Sequence, residues 1–218
     1  MASAPPVLLP RPHGLLLDAM GTLIGLQEPV GETYARLAFR HGVDVTPAQV
    51  QRGFVQAWRL APPLAFPGLV GDALRRAEIA WWGDLIRQSL DPAATTEPPA
   101  ELVAALFEHY AQPGAWRVFA DVPALLERWH HRGMALAVVS NFDTRLPELL
   151  SRLGLARWLP VVVVSSEAGA AKPDPAPFRQ ALDRLGLPVD AVWHVGDSPE
   201  DVAGAAAAGI PCVLLQRR

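Results

Sequence analysis

The chain has 218 residues, 50% of them hydrophobic, with 19 basic and 22 acidic side chains and a formal net charge of −3. This balance excludes the large basic field with which proteins hold a nucleic-acid backbone. The single cysteine, Cys212, excludes an internal disulfide bond, and we expect it to be a small core residue in a buried strand.

The first 14 residues do not predict a secretory signal, because prolines interrupt their only apolar stretch. These prolines are Pro5, Pro6, Pro10 and Pro12. The longest weakly polar stretch, residues 202–215, contains two glycines and a proline and is too short and too broken to span a bilayer. We therefore expect a soluble, cytoplasmic protein without a membrane partner, whose oligomeric state the sequence leaves open.

Short apolar runs rich in Val and Leu predict the strands of a parallel sheet. They lie at residues 14–17, 135–139, 161–164, 191–195 and 212–215. None alternates cleanly between apolar and polar residues, which is typical of strands covered on both faces. Between them, stretches followed by a glycine predict helices at residues 122–131, 146–153, 175–185 and 200–208. This alternation predicts an α/β fold with a Rossmann-like doubly wound parallel sheet.

The segment between the first two of these strands is too long for a single crossover and predicts an inserted α-helical cap. Its helical patterns lie at residues 30–41, 47–60, 72–89 and 99–110, and residues 91–98 predict a loop. Thr46 before Pro47 is typical of a helix start. We assign residues 27–116 to the cap domain and residues 1–26 and 117–218 to the core domain.

Four tryptophans belong largely to this predicted cap: Trp58, Trp81, Trp82 and Trp116. We expect them mainly to form the core of the cap, although one of them could line a substrate pocket. Because the cap follows the first strand end directly, it is expected to act as a lid that excludes water from that end of the sheet.

The run Asp18-Ala19-Met20-Gly21-Thr22 directly follows the first predicted strand. Ligands of open α/β sheets bind just outside the carboxyl ends of the strands. A carboxylate there can act as a nucleophile on phosphorus or carbon. An ordinary turn would explain the same five residues, so the run indicates chemistry only in combination with others.

Two further segments could bind an anion. Ser140 and Asn141 follow the second strand and offer a hydroxyl and a backbone N–H group, although Ser-Asn is also a common turn. Lys172, between small residues and Pro173, is a suitable point charge for phosphate. By itself it is better explained as a solvated lysine.

Acidic residues follow the fourth strand as well, at Asp197 and Asp201. Their hard oxygens suit a Mg²⁺ site that keeps several waters. Capping of the next helix by Asp197 or Ser198 would explain one of these acids, but not why the strand end at Asp18 carries an acid too. His194, within this strand, is expected only to face a neighbouring strand.

Taken in this order, the four segments resemble the haloacid dehalogenase-like hydrolase superfamily. The resemblance covers almost the whole chain, including a helical cap inserted after the first segment. Residues 30–35, 140–143 and 171–175 are similar to the branch typified by haloacid dehalogenase-like hydrolase domain-containing protein 3. Each motif is unspecific alone, whereas their combination is specific.

The resemblance implies a Mg²⁺-dependent phosphatase in which Asp18 attacks a small phosphorylated molecule and carries the phosphoryl group as an aspartyl phosphate. It implies catalytic roles for Asp18, Ser140 and Lys172. It implies substrate binding by Thr22, Ser140, Asn141 and Lys172. It implies a metal site formed by Asp18, the backbone carbonyl of Met20, Asp197 and Asp201.

Met20 departs from the family pattern. Phosphatases of this superfamily usually carry a second Asp there, which protonates the leaving oxygen and later activates water. A thioether can do neither, and general acid–base catalysis contributes about 10²–10⁴-fold. We therefore expect a slow phosphatase, or one in which the substrate or a cap residue supplies the proton.

Two other functions stay open. The 2-haloacid dehalogenases also lack an acid at the position of Met20, and their sequence frame resembles residues 18–23 here. Against this, Asp197 and Asp201 would repel an anionic haloacid unless a cation lay between them. Alternatively, the chain keeps the scaffold as a non-catalytic protein that binds a phosphometabolite or a partner.

Overall fold

The structure, a computed structural model, describes residues 11–91 and 97–217. Three of the N-terminal prolines and the middle of the predicted loop 91–98 lie outside the described residues. The strands are β1 (Gly14–Leu17), β2 (Ile24–Leu26), β3 (Trp116–Val118), β4 (Ala135–Ser140), β5 (Val161–Val164), β6 (Val192–Gly196) and β7 (Cys212–Leu214). The α-helices are α1 (Val30–Arg40), α2 (Pro47–Leu60), α3 (Gly71–Leu90), α4 (Ala100–His109), α5 (Val122–His131), α6 (Leu146–Arg152), α7 (Ser165–Ala168), α8 (Ala176–Leu185) and α9 (Pro199–Ala207).

A parallel sheet in the order β5-β4-β1-β6-β7 forms the centre of the molecule. Because successive side chains of a strand point to opposite faces, Leu15 and Leu17 of β1 pack into one apolar core and Leu16 into another. Side chains of α5 and α6 belong to the first core, and side chains of α8 and α9 to the second. The predicted Rossmann-like α/β fold is thereby confirmed.

The order of the strands determines where a ligand can bind. From β1 the chain adds β4 and β5 on one side, and later adds β6 and β7 on the other. Ligands of such sheets bind in the crevice at this switch point, outside the carboxyl ends of the strands. Asp18 follows β1 and Asp197 follows β6, so the two acids lie at this crevice.

The strand β7 differs from its prediction as a buried strand. It pairs with β6 alone and forms an edge of the sheet. Val213 is 44% exposed and Leu214 is 50% exposed. Cys212 is half-buried and packs at the margin of the second core, so the prediction of a fully buried cysteine is wrong. An edge strand has a neighbouring strand on one side only and is therefore more exposed. An apolar run of residues does not show whether its strand lies at the edge or in the centre of the sheet.

The helices α1–α4 lie between β2 and β3, which pair as a short antiparallel ribbon. We call these four helices the helical insert. They share an apolar cluster of their own, in which Tyr34 of α1 packs with Ile86 of α3 and Leu102 of α4. Thr46 begins α2 with a capping box to Gln49, as its sequence position predicts. The division into core and cap domains stays a prediction.

No helix of the described residues combines the length and the apolar character that crossing a membrane requires.

Candidate active site

Asp18 lies at the carboxyl end of β1 and is 5% exposed. Ser140, the last residue of β4, donates a hydrogen bond from its Oγ to Asp18 Oδ1 over 3.1 Å. The two residues are 122 positions apart in the chain, and they meet because β1 and β4 are neighbouring parallel strands. A buried carboxylate with a hydroxyl donor is thereby fixed at the mouth of the crevice.

Lys172 brings a positive charge to this carboxylate. Its ammonium group donates to Asp18 Oδ1 at 2.6 Å, to Asp201 Oδ1 at 2.5 Å and to the carbonyl oxygen of Val139 at 3.1 Å. Burial lowers the pKa of Lys172, but the charges of the two carboxylates outweigh it and raise the pKa above its usual value. The alternative of a solvated lysine is wrong, since the side chain is 3% exposed.

Asn141 holds the loop that carries Lys172. Its side-chain oxygen accepts from the backbone N–H of Lys172 at 2.7 Å, and its side-chain nitrogen donates to the backbone carbonyl of Lys172 at 2.9 Å. Both ends of the amide are therefore engaged within the protein. In this geometry Asn141 positions Lys172, and its predicted contact with substrate stays a prediction.

Asp197 approaches the first strand end across a glycine. Gly21 has a φ of +84°, and a Cβ atom there would lie 2.1 Å from Asp197 Oδ2. Thr22 donates from Oγ1 to Asp197 Oδ1 over 3.3 Å. Partial burial, together with the charges of Asp18 and Asp201, raises the pKa of Asp197. The turn after β1 thus lets two like-charged side chains come close together.

Asp201 is enclosed by hydrogen-bond donors. Its Oδ1 accepts from Lys172 and faces His194 Nε2 at 2.8 Å. Its Oδ2 accepts from the backbone N–H groups of Asp197 and Ser198 and from Ser198 Oγ. Burial raises the pKa of Asp201, but the hydrogen bond to His194 and the charge of Lys172 hold it well below its usual range. The capping alternative is correct for Ser198, which begins α9 in a capping box with Asp201, and not for Asp197.

His194 has a larger part in this site than the sequence analysis assigned to it. It faces a neighbouring strand as predicted, with Nδ1 2.9 Å from the carbonyl oxygen of Leu16, but Nε2 contacts Asp201. Both ring nitrogens therefore have a protein oxygen within hydrogen-bond distance. The signal that could have revealed it was its position in a buried strand, since a buried histidine requires partners.

The acids of this site suit a hard cation. One oxygen each of Asp18, Asp197 and Asp201 lie within 4.8 Å of one another. A carboxylate has about four lone-pair sites, and those of Asp201 are already engaged by five contacts. The oxygens of Asp18 and Asp197 therefore have fewer protein partners than those of Asp201, and the predicted metal site stays a prediction. We call Asp18, Ser140, Lys172, Asp197 and Asp201 the strand-end cluster.

A cavity of about 620 Å³ lies above the strand-end cluster and extends under the helical insert. Met20 lines it and is 40% exposed, so its side chain is not part of an apolar core. Much of the remaining lining is aromatic. Aromatic residues of the insert that line it are Tyr34, Phe54, Trp58, Trp81, Trp82, Phe107 and Tyr110.

The expectation that the tryptophans mainly form the core of the cap is wrong for Trp58, Trp81 and Trp82. All three line the cavity, and Trp58 is 47% exposed. Trp116 also reaches the cavity but is 8% exposed and packs in the core beside β1. Helical spacing identifies an apolar face, but it does not distinguish a face against another helix from a face against an open cavity.

Direct contacts hold the helical insert over the sheet. Glu78 of α3 is fully buried and accepts hydrogen bonds from the backbone N–H and the hydroxyl of Thr144, at 2.9 Å and 2.6 Å. Trp82 donates from Nε1 to Asp143 Oδ2 at 2.7 Å. Arg145 forms an ion pair with Asp143 and also donates to the carbonyl of Phe107 in α4. The loop after β4 therefore links the insert to the strand-end cluster.

The family model described as haloacid dehalogenase-like hydrolase matches residues 13–209. The chain belongs to this family. The predicted resemblance is confirmed at the level of the branch as well. Haloacid dehalogenase-like hydrolase domain-containing protein 3 of Danio rerio is 35% identical over 207 residues, covering 94% of this chain and 85% of that protein.

Relatives with phosphatase names match over similar lengths. A plasmid-encoded phosphoglycolate phosphatase of Cupriavidus necator is 31% identical over 205 residues, which cover 93% of this chain and 80% of that protein. Among solved structures, a HAD phosphatase from Thermococcus onnurineus superposes with a TM-score of 0.63 at 23% identity, covering 94% of this chain and 86% of that one. The similarity to this solved structure supports the fold alone.

Proposed function

We propose that the protein is a Mg²⁺-dependent phosphatase in which Asp18 accepts the phosphoryl group of a small phosphorylated molecule. The observation that supports this most directly is the position of Asp18 between two donors, Ser140 and Lys172, with a second carboxylate, Asp197, across the switch point. The phosphatase names among the relatives support the same chemistry.

In the first step, an oxygen of Asp18 forms a bond to phosphorus while the ester P–O bond breaks and its electron pair leaves with the alcohol oxygen. Water then attacks phosphorus, releases inorganic phosphate and restores the Asp18 carboxylate. Ser140 and Lys172 are suited to hold the phosphoryl oxygens, because both already converge on the attacking carboxylate. Asn141 keeps Lys172 in place, and Thr22 keeps Asp197 in place.

Asp18 and Asp197, with the backbone carbonyl of Met20, are the groups that would hold Mg²⁺. Burial and the charges of Asp18 and Asp201 raise the pKa of Asp197, and Lys172 supplies one positive charge beside these three carboxylates. A bound Mg²⁺ would screen the two anions, phosphate and Asp18, from each other.

Met20 limits which esters the site can cleave. Its side chain reaches the cavity, where an acid would be needed to protonate an alkyl leaving group, and a thioether cannot donate a proton. The leaving groups of acyl and aryl phosphates depart without a proton, so we propose that these esters and anhydrides are the better substrates. The helical insert then acts as the cap that shields the reaction from water.

Acetyl phosphate is the substrate that tests this function, because it is small and its leaving group requires no acid. We expect Mg²⁺-dependent release of phosphate, and a loss on the order of 10⁴–10⁶-fold in Asp18→Asn. A melting curve must show that the variant is folded. Retained turnover in Asp18→Asn would remove Asp18 from the mechanism.

The absence of an acid at Met20 also favours a 2-haloacid dehalogenase, in which Asp18 would displace halide from carbon. Metal-independent chloride release from 2-chloropropionate, without turnover of acetyl phosphate, would favour this second function. If neither compound reacts while inorganic phosphate still binds, the chain is a phosphometabolite-binding protein.

A further inference from the structure

The cavity above Asp18 has a polar end and an aromatic end. The polar end is the strand-end cluster. At the other end, Phe54 and Trp58 of α2 are stacked with ring centroids 5.8 Å apart, and Trp81 of α3 meets Trp58 edge-on at 5.9 Å. We call these three rings the aromatic wall. Trp81 Nε1 donates to the carbonyl of Pro62 at 3.0 Å, so its one polar atom is engaged within the insert.

Few basic side chains line the cavity that the aromatic wall faces, although Arg59 lines a separate pocket on Phe54 and Trp58. Among the described residues that line the cavity, the only basic side chains are Lys172 and Arg145. Lys172 belongs to the strand-end cluster, where its ammonium group contacts Asp18, Asp201 and the carbonyl of Val139 and, in the proposed function, serves the phosphoryl oxygens. Arg145 is paired with both oxygens of Asp143 and with the carbonyl of Phe107. A carboxylate on the leaving group would therefore be desolvated without a cationic partner, which is costly.

Among the described residues that line the cavity, the acidic side chains all lie at the polar end. The acids in the described lining are Asp18, Asp197, Glu200 and Asp201. All four follow β1 or β6, at the polar end. A cationic leaving group would find aromatic faces but no anion beside the wall, whereas an uncharged aromatic ring gains apolar burial and ring contacts.

Met20 supports the same type of leaving group independently. It lines the same cavity, and its thioether makes favourable contacts with aromatic rings but supplies no proton. A phenol is a far stronger acid than an alkyl alcohol, so the ester bond to phosphorus breaks with the electron pair leaving as phenolate. Water in the solvent then protonates the released phenolate.

We infer that the substrate is the phosphate monoester of an uncharged aromatic alcohol, whose ring packs against Phe54, Trp58 and Trp81. This inference rests on the function proposed above. Trp58 is then a specificity-determining residue. We therefore expect phosphoglycolate, whose leaving group carries a carboxylate, to be a poorer substrate, because the basic side chains among the described lining residues, Lys172 and Arg145, are both engaged by protein oxygens.

The inference is tested by comparing 1-naphthyl phosphate, phosphoglycolate, phosphocholine and acetyl phosphate, with Mg²⁺ present. We expect kcat/KM for 1-naphthyl phosphate to exceed that for phosphoglycolate and phosphocholine at least tenfold. Trp58→Ala should lower kcat/KM for 1-naphthyl phosphate by about tenfold, mainly through KM, and should lower kcat/KM for acetyl phosphate much less. Trp58→Phe should restore most of the loss.

Phe39→Ala is the matched control, because Phe39 lies in the same insert, is 74% exposed and does not line the cavity. It should leave all four substrates unchanged. The same four compounds are also titrated by calorimetry into Asp18→Asn, which measures binding without turnover. If acetyl phosphate is not hydrolysed, the proposed phosphatase function fails, yet tighter binding of 1-naphthyl phosphate than of phosphoglycolate would still support the aromatic site.

Preference for phosphoglycolate or phosphocholine, in turnover or in binding, would overturn the inference. So would an equal loss for acetyl phosphate and 1-naphthyl phosphate in Trp58→Ala, because it would show a general effect of that side chain on the site.

Discussion

The strand-end cluster and the aromatic wall face one cavity with opposite chemistry. The cluster consists of carboxylates, a hydroxyl and an ammonium group, joined by hydrogen bonds of 2.5–3.1 Å. The wall consists of rings whose centroids are 5.8–5.9 Å apart. The cluster is carried by strand ends, whose positions the sheet fixes. The wall is carried by two helices that are held over the sheet by the contacts of Glu78, Trp82 and Arg145.

In the proposed phosphatase, this difference would separate the reaction from the selection of the substrate. A phosphoryl group requires fixed charges, and the rigid ends of parallel strands provide them. A leaving group requires shape and apolar surface, which the helical insert can supply without disturbing those charges. Changes in the cluster should therefore alter the chemical step or metal binding, and changes in the insert should alter substrate choice.

Replacing Lys172 should have the largest effect. It is the only lysine of the chain, since 18 of the 19 basic residues are arginine. Lys172→Met leaves Asp18 and Asp201 buried without their cation, and we expect the free energy of unfolding to fall by about 3–5 kcal/mol. Phosphatase activity should fall with it. Chemical denaturation and acetyl phosphate turnover measure the two effects.

Arg179→Met is the control for this change, because Arg179 is exposed on α8, and it should shift stability by no more than about 0.5 kcal/mol. Equal stabilities of Lys172→Met and wild type would show that the strand-end cluster is not the tightly coupled group that its distances indicate.

The second prediction adds the missing acid. Met20→Asp should raise turnover of an alkyl phosphate such as glycerol 2-phosphate by at most about 10²–10⁴-fold. Acetyl phosphate should gain much less, because its leaving group requires no proton. Met20 is 40% exposed, so the new carboxylate can remain solvated. A folded variant without a gain on any ester would contradict the proposed phosphatase function.

The strand-end cluster was largely predictable from sequence, for a simple geometric reason. Parallel strands bring their carboxyl ends to one edge of a sheet, so Asp18, Ser140 and Asp197 had to converge once the strands were recognised. Lys172 was predictable only through the resemblance, because its loop follows no strand directly. The strands and helices that were predicted all have ends within one residue of the observed ones.

The aromatic wall and the partners of Asp201 were not predictable in the same way. Periodicity places Trp58 and Trp81 on helices, but whether a ring meets another helix or an open cavity depends on how those helices pack. Likewise, the acids at Asp197 and Asp201 look alike in sequence. The oxygens of Asp201 have five contacts, whereas those of Asp197 have a single hydroxyl donor, Thr22. Only the folded structure reveals this difference.

The third prediction separates these two acids. Asp197→Ala should weaken Mg²⁺ binding by more than about 100-fold and change the melting temperature little, because Asp197 is exposed to the cavity. Asp201→Ala should mainly destabilise the fold, since it removes the partner of Lys172 and His194. Calorimetry with Mg²⁺ and thermal melting measure the two outcomes. Equal Mg²⁺ affinity in wild type and Asp197→Ala would refute the metal site.

The smallest predicted effect concerns the link between the two regions. Glu78 is fully buried, and each of its oxygens accepts a hydrogen bond from Thr144. Glu78→Gln replaces one acceptor by an NH₂ group that faces a donor, so we expect the free energy of unfolding to fall by about 1–3 kcal/mol. Chemical denaturation measures this loss. Hydrogen exchange should rise first in α3 and the loop after β4, while β1 and β4 stay protected.

Glu101→Gln provides the comparison for this last change, because Glu101 is exposed in the first turn of α4, and it should alter neither stability nor exchange by a measurable amount. If Glu78→Gln left exchange in α3 unchanged, the insert would be held by its aromatic contacts instead of by the buried carboxylate. If exchange rose equally in the insert and in the sheet, the two regions would unfold as one unit. Substitutions in the insert that alter substrate selection would then also destabilise the strand-end cluster. The two regions would differ in their chemistry but would not differ in their stability.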